Sequence, residues 1–194
     1  MNILFLSAWY PFPADNGSKL RIFNLLKGLA KSHQVHLVSF TDQAQSSETA
    51  LLEFCASVRA IPWKSGQLSG WQRKLAPFSA TPQSFLDTFS QEMVDAIDLV
   101  LNENQIDLVI ASQIKTASYS KFFRGLPAIF EEAELGVMYE QYAAAESLKS
   151  KLRYSLTWTK HKRFIERLLA DYQAVTVASA AEKQLFHAKI NRPE

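Results

Sequence analysis

The chain has 194 residues, 47% of them hydrophobic and 21% charged, which suits one globular domain with a substantial core. A formal net charge of +2 is too small to indicate nucleic-acid binding. The lone Cys55 excludes an internal disulfide and fits a reducing compartment, and no apolar run reaches the ~20 residues that span a bilayer. The start turns apolar at once, without a basic leader region, so a cytoplasmic location is expected, with membrane contact confined to the surface.

In chain order, an apolar run near 2–7 reads as a buried strand and leads into a loop carrying Pro11, Pro13 and the turn pair Asn16-Gly17. A helix with Leu20, Phe23, Leu26 and Ala30 follows near 17–32, and a second apolar strand near 34–40. Two strands joined by a helix build a parallel sheet, whose ligands bind beyond the strands' carboxyl ends. Gly17 opens the first helix, where backbone N–H groups can face an anion without a Cβ in the way. Further strands are expected near 58–62, 106–111, 127–131 and 173–178, with helices near 46–56, 84–103, 115–123, 134–170 and 180–189. In the 84–103 segment Met93, Ile97, Val100 and Leu101 fall on one face. Ser179 and Glu182 have capping-box spacing. The stretch 62–82 is irregular and reads as a long excursion from the sheet. The fold class is therefore α/β: a Rossmann-like, mostly parallel sheet with helices on both faces.

Several groups of residues carry chemistry. Only one glycine lies between residues 8 and 27, so the G-x-G-x-x-G dinucleotide fingerprint is absent. Lys19 and Arg21 follow Gly17 and either add positive charge to the loop or face solvent. Glu131, Glu132 and Glu134 cluster at the end of a strand; close carboxylates repel, so one can have a raised pKa and move protons. Equally, they can serve the dipole of the following helix. Ser112 and Gln113 follow the fourth strand as pocket candidates or as a polar turn. His33, His36, His161 and His187 lack metal-ligand spacing, so no metal site and no cofactor are expected. Lys149, Lys151, Arg153, Lys160, Lys162, Arg163 and Arg167 crowd one helical stretch, with Tyr154, Trp158 and Phe164 interleaved. Such a helix can lie on an anionic membrane, joined by Trp63, Trp71, Arg73, Lys74 and Phe78, or it can be the solvated face of a core-packed helix.

The order of these pieces resembles the N-terminal domain of a family-4-type glycosyltransferase of the GT-B class. Such enzymes open with a strand, a proline-containing loop, a turn like Asn16-Gly17 and a basic helix. RKLAPFSATPQSF (73–85) resembles the family's variable acceptor-side loop. Residues 106–119 resemble its fourth strand and turn, and 129–186 its fifth strand, long helix, sixth strand and serine-started helix. The resemblance implies a single acceptor-side domain over 1–194, with a C-terminal donor-binding domain, including the family's paired glutamates, outside this chain. It implies retaining transfer of a hexose-type sugar from a nucleotide sugar to a glycan or lipid-linked acceptor, as in polysaccharide biosynthesis, at the cytoplasmic or inner membrane face. Asn16, Gly17, Lys19 and Arg21 would form the donor-diphosphate and acceptor loop, and Ser112, Gln113, Glu131, Glu132 and Glu134 the acceptor pocket. Independently of the resemblance, if the basic helix lies on a membrane, the peripheral contact would run through Lys149, Lys151, Arg153 and Lys160. Ala133 and Glu134 stand where many relatives carry histidine and asparagine, so no histidine role carries over, and the catalytic residues stay unassigned. The alternatives are a non-catalytic α/β module that binds a partner protein or a membrane, and another GT-B enzyme such as a sugar epimerase.

Overall fold

A computed structural model describes residues 1–42, 48–63, 70–71, 79, 82 and 89–191. The strands are β1 (Asn2–Ser7), β2 (Gln34–Thr41), β3 (Ser57–Pro62), β4 (Leu108–Ser112), β5 (Ala128–Glu131) and β6 (Ala174–Val175). Among the described residues, between them lie α1 (Gly17–Leu29), α2 (Thr49–Leu52), α3 (Gln91–Glu103), α4 (Gln113–Ala117), a 3₁₀ turn (Ser120–Phe122), α5 (Gly136–Ala143), α6 (Leu148–Leu169) and α7 (Ala180–Lys189). The strands form one sheet in the order β3-β2-β1-β4-β5-β6, and every pair is parallel. This is the doubly wound Rossmann-like arrangement, and its strand order reverses direction between β1 and β4.

Alternation along β1 explains why both faces are covered. Ile3 and Phe5 point to one side and pack with Ile22 and Leu26 of α1, Val35 and Leu37 of β2, Leu51 and Cys55. Leu4 and Leu6 point to the other and join Met93, Ile97 and Val100 of α3 with Ile165 and Leu168 of α6. Each such side chain, fully buried, contributes about 1.5–3 kcal/mol. Burial pushes the Cys55 thiol up to about 11, so it is an inert core group.

Four expected helices have different limits. The 84–103 helix starts only at Gln91, because Ser90 is its N-cap and accepts from the Met93 amide; residues 84–88 lie outside the described residues. The 115–123 segment is two short pieces, α4 and the 3₁₀ turn. The 134–170 segment is two helices, because Ser147 caps a new one by accepting from the Ser150 amide. In the sixth strand region only Ala174 and Val175 join the ladder, and of the 46–56 helix only Thr49–Leu52 is helical, with 46 and 47 outside the described residues. Most of the irregular 62–82 stretch, and of the 73–85 segment, also lies outside them.

The Ser179–Glu182 pair is half a capping box. Ser179 accepts from the Glu182 amide at 3.1 Å, but the Glu182 carboxylate reaches away to the amides of Leu135 (3.1 Å) and Gly136 (2.9 Å). It thereby caps α5 from another element. A Cβ on Gly136 would stand 2.5 Å from Glu182 Oε1, so the small residue makes room for the cap. Glu182→Ala is expected to destabilise the chain by about 1–2 kcal/mol, since two amides lose their acceptor. Limited proteolysis should show faster cleavage around α5 while α7, which keeps its Ser179 cap, stays protected.

Candidate functional site

The carboxyl ends of β1 and β4 lie side by side, with Ser7 in register with Ser112. This is where the strand order reverses, and there the loops after the two strands diverge and leave a crevice. The β1 loop runs through a cis Phe12-Pro13 bond to Asn16, whose side chain accepts from the Lys19 amide at 3.0 Å and starts α1 at Gly17. Gly17 has no left-handed φ, and a Cβ there would meet no atom within 4 Å. Any demand for glycine at this position therefore comes from a ligand and not from the domain's own packing.

The structure joins Arg21 to the glutamate cluster. Its guanidinium lies 2.6 Å from Glu131 Oε1 and 3.6 Å from Glu132 Oε1. The nearer contact is an ion pair without a well-directed hydrogen bond, since Glu131 Oε1 has no hydrogen-bond partner. The other Glu131 oxygen accepts from Ser112 Oγ at 2.6 Å. Glu131 and Ser112 are both buried, so this carboxylate is held by one cation and one hydroxyl away from water. Lys19 is also nearly buried and is paired with Asp15 at 3.1 Å. Neither cation simply faces solvent.

Glu132 and Gln113 sit directly after β5 and β4, and both adopt left-handed backbone, with φ of 59° and 71°. Such conformations cost non-glycine residues about 1 kcal/mol or more and need local support. Here Gln113 Nε2 donates to Glu132 Oε2 at 3.1 Å, and the Glu132 amide donates to Thr176 Oγ1 at 3.1 Å. Burial, then repulsion from Glu131, raises the Glu132 pKa against the opposing pull of Gln113 and Arg21. Glu134 contributes a smaller upward push from the same edge.

Two clefts open along this edge and share Trp9 and Lys115. One, of about 160 Å³, is lined by Tyr10, Lys19, Phe40, Asp42 and Trp63. The other, of about 240 Å³, is lined by Gln113, Glu132, Glu134, Met138 and His161. Lys115 Nζ lies 4.3 Å from the Trp63 ring centroid and 5.2 Å from that of Trp9. Burial lowers its pKa, and the indole faces supply the cation–π contact that holds the ammonium in place. Burial likewise brings the His161 pKa down to about 4, leaving a neutral imidazole at physiological pH.

Sequence reasoning missed Trp9, Lys115 and His161 as site residues. Position immediately after a strand could have signalled the first two; His161 lies on α6, far along the chain, and nothing local marks it. Trp63, expected with the basic helix, instead packs edge-on to Phe40 at 4.9 Å and faces the first cleft. Arg73, Lys74 and Phe78 lie outside the described residues. His36 is structural: its Nδ1 lies 2.9 Å from Ser57 Oγ inside the sheet.

No family model matches the chain, and no curated protein does either. Solved structures do. Sucrose-phosphate synthase from Thermosynechococcus elongatus matches over 98% of this chain and 46% of its own, at 14% identity and a TM-score of 0.59. A Phytolacca americana UGT2 complexed with UDP-2-fluoro-glucose and pterostilbene matches over 92% and 48%, at 11% identity and 0.51. A UDP-glucosyltransferase from Polygonum tinctorium matches over 98% and 51%, at 10% identity and 0.50. The chain thus has the fold of one Rossmann-like unit of GT-B glycosyltransferases, and it spans about half the length of the structures it matches. Among the described residues no helix is long and apolar enough to cross a membrane.

The electrostatics make two predictions. A carboxylate whose folded pKa is raised contributes stability that is present below its unfolded value of 4.5 and lost as pH rises through the folded value. Glu132→Gln is therefore expected to be more stable than the parent at neutral pH, with the difference vanishing below pH 4.5; denaturant titrations across pH check this. Arg21→Ala leaves Glu131 buried without its counter-charge and should cost about 3 kcal/mol at neutral pH.

Proposed function

We propose that this chain is the acceptor-binding half of a nucleotide-sugar-dependent glycosyltransferase, which moves a hexose-type sugar to a glycan or lipid-linked acceptor with retention. The observation that carries the reading is the polar cluster of Arg21, Ser112, Gln113, Glu131 and Glu132 at the sheet's reversal point, flanked by the two clefts. A fold shared with sugar-transferring proteins supports it.

In such a transfer the bond from the sugar's anomeric carbon to the diphosphate oxygen breaks. The bond to the acceptor oxygen forms, and the acceptor's proton leaves with the diphosphate. The transition state is oxocarbenium-like, so placement of the acceptor and stabilisation of the departing phosphate carry the rate. On this reading the residues divide the work. Glu131, clamped by Arg21 and Ser112, is the fixed charge that organises the edge. Glu132, with its raised pKa and its place on the cleft wall, accepts a hydrogen bond from an acceptor hydroxyl. The indoles of Trp9 and Trp63 offer faces for a sugar ring, and Lys115 between them meets an anionic part of the acceptor. The start of α1 at Asn16 and Gly17 approaches the donor diphosphate, most of whose site belongs to a second domain.

The test compares this chain with the protein encoded by its full reading frame, using a panel of radiolabelled nucleotide sugars. The full protein is expected to transfer sugar and the isolated chain is not. Gly17→Val in the full protein should lower kcat/KM at least tenfold with an unchanged circular dichroism spectrum, because a Cβ at this position meets no atom of the domain within 4 Å. Equal turnover from both proteins, or wild-type activity in the glycine variant, would overturn the assignment. A reading frame without a second domain would favour a binding module instead.

A further inference from the structure

The outer part of the helical hairpin of α5 and α6 is little buried. No residue of α5 is buried, and in α6 none is from Leu148 to Thr157; core contact begins at Trp158. Within that outer part three leucines face solvent: Leu148 is 87% exposed, Leu152 66% and Leu156 58%. They recur every four residues, so they form one stripe about 12 Å long on a helix rising 1.5 Å per residue. At 100° per residue, Lys149 and Arg153 border the stripe on one side and Lys151 on the other, and all three are exposed. From residue 136 to 169 there are seven Lys or Arg against three Glu (Glu140, Glu146 and Glu166), and Glu166 is engaged by Lys162 at 3.7 Å.

From this arrangement we propose that the outer half of α6 is a membrane-docking element that lies flat on an anionic lipid surface, with Leu148, Leu152 and Leu156 inserted among the acyl chains. Lys149, Lys151 and Arg153 meet the headgroup phosphates. The occupant follows from the shape and charge of the patch. A stripe one side chain wide supplies too little area for a stable protein interface, which needs on the order of 1,000 Å². An interfacial helix needs only an apolar edge that sinks about 5–10 Å below a cationic rim. An anionic bilayer complements both the leucines and the excess positive charge without matching any particular contour. The proposal stands independently of sugar transfer, although it would bring a lipid-linked acceptor to the sheet edge.

Co-sedimentation of the full chain with vesicles is the test. Binding is expected to vesicles of mixed phosphatidylcholine and phosphatidylglycerol, to persist in part at physiological salt, and to be absent with phosphatidylcholine alone. The triple variant Leu148→Ser, Leu152→Ser, Leu156→Ser should fold normally, because it changes only exposed positions. It should bind at least tenfold more weakly and lose all binding at physiological salt. The triple variant Lys149→Gln, Lys151→Gln, Arg153→Gln should bind roughly a hundredfold more weakly at low salt. No binding by the parent chain, or unchanged binding by the serine variant, would overturn the proposal. So would a parent chain that self-associates in solution through these leucines and ignores vesicles, which would make the stripe an interface between copies.

Discussion

Parallel strands cannot be joined by tight turns, and that constraint organises everything else here. Each crossover must pass over a face of the sheet, so both faces are roofed by helices and the strands between them become continuously apolar. Because the chain builds outward from β1 first towards β3 and then from β4 towards β6, the crossovers diverge at the β1–β4 pair. The loops after Ser7 and Ser112 separate there, and Trp9 and Lys115 line the gap. The crevice is a consequence of winding direction, and the residues around it are those the strands release last.

What fills that edge is charge under partial burial. Glu131 ends β5 inside the protein, where Arg21 arrives from α1 to pair with one of its oxygens and Ser112 from β4 donates to the other. Two elements distant in sequence are thus tied to the carboxylate of a third. Glu132 lies one residue further on, in a left-handed conformation bridged to Gln113, which shares that conformation directly after the neighbouring strand. Backbone strain, repelling carboxylates and a raised pKa concentrate within a few ångströms, whereas the core on both sides is conventionally packed. Local cost of this kind persists where surrounding structure over-determines it, and is characteristic of places that bind or react.

The α5–α6 hairpin follows a different logic. Its inner end is held by aromatic contact, with Tyr139 and Tyr142 against Trp158 at 5.3 and 6.5 Å, and by the Glu182 cap on α5. From Trp158 back towards its N-terminus the α6 helix continues outward without core support and carries Leu148, Leu152 and Leu156 on its exposed surface. The inner half of the same helix contributes Ile165, Leu168 and Leu169 to the core and His161 to the cleft wall. One helix therefore connects the outer surface to the candidate site.

Much of this architecture was legible in the residues alone. Apolar runs separated by amphipathic stretches determine a parallel α/β sheet, because no other arrangement buries such runs on both faces. The Asn16-Gly17 helix start and the Met93–Ile97–Val100 face follow from local chemistry and appear where expected. The split of the long helical segment was legible in principle at Ser147, a good cap, but the helical periodicity on either side obscured it. The same periodicity hid the exposure of Leu148, Leu152 and Leu156, since a leucine every four residues reads as core until the packing shows which face is free. The pairing of Arg21 with Glu131, the reach of Glu182 to α5, and the placing of Lys115 between two indoles depend on residues tens to more than a hundred positions apart. Only the crossovers bring those residues together, so only the tertiary structure could decide them.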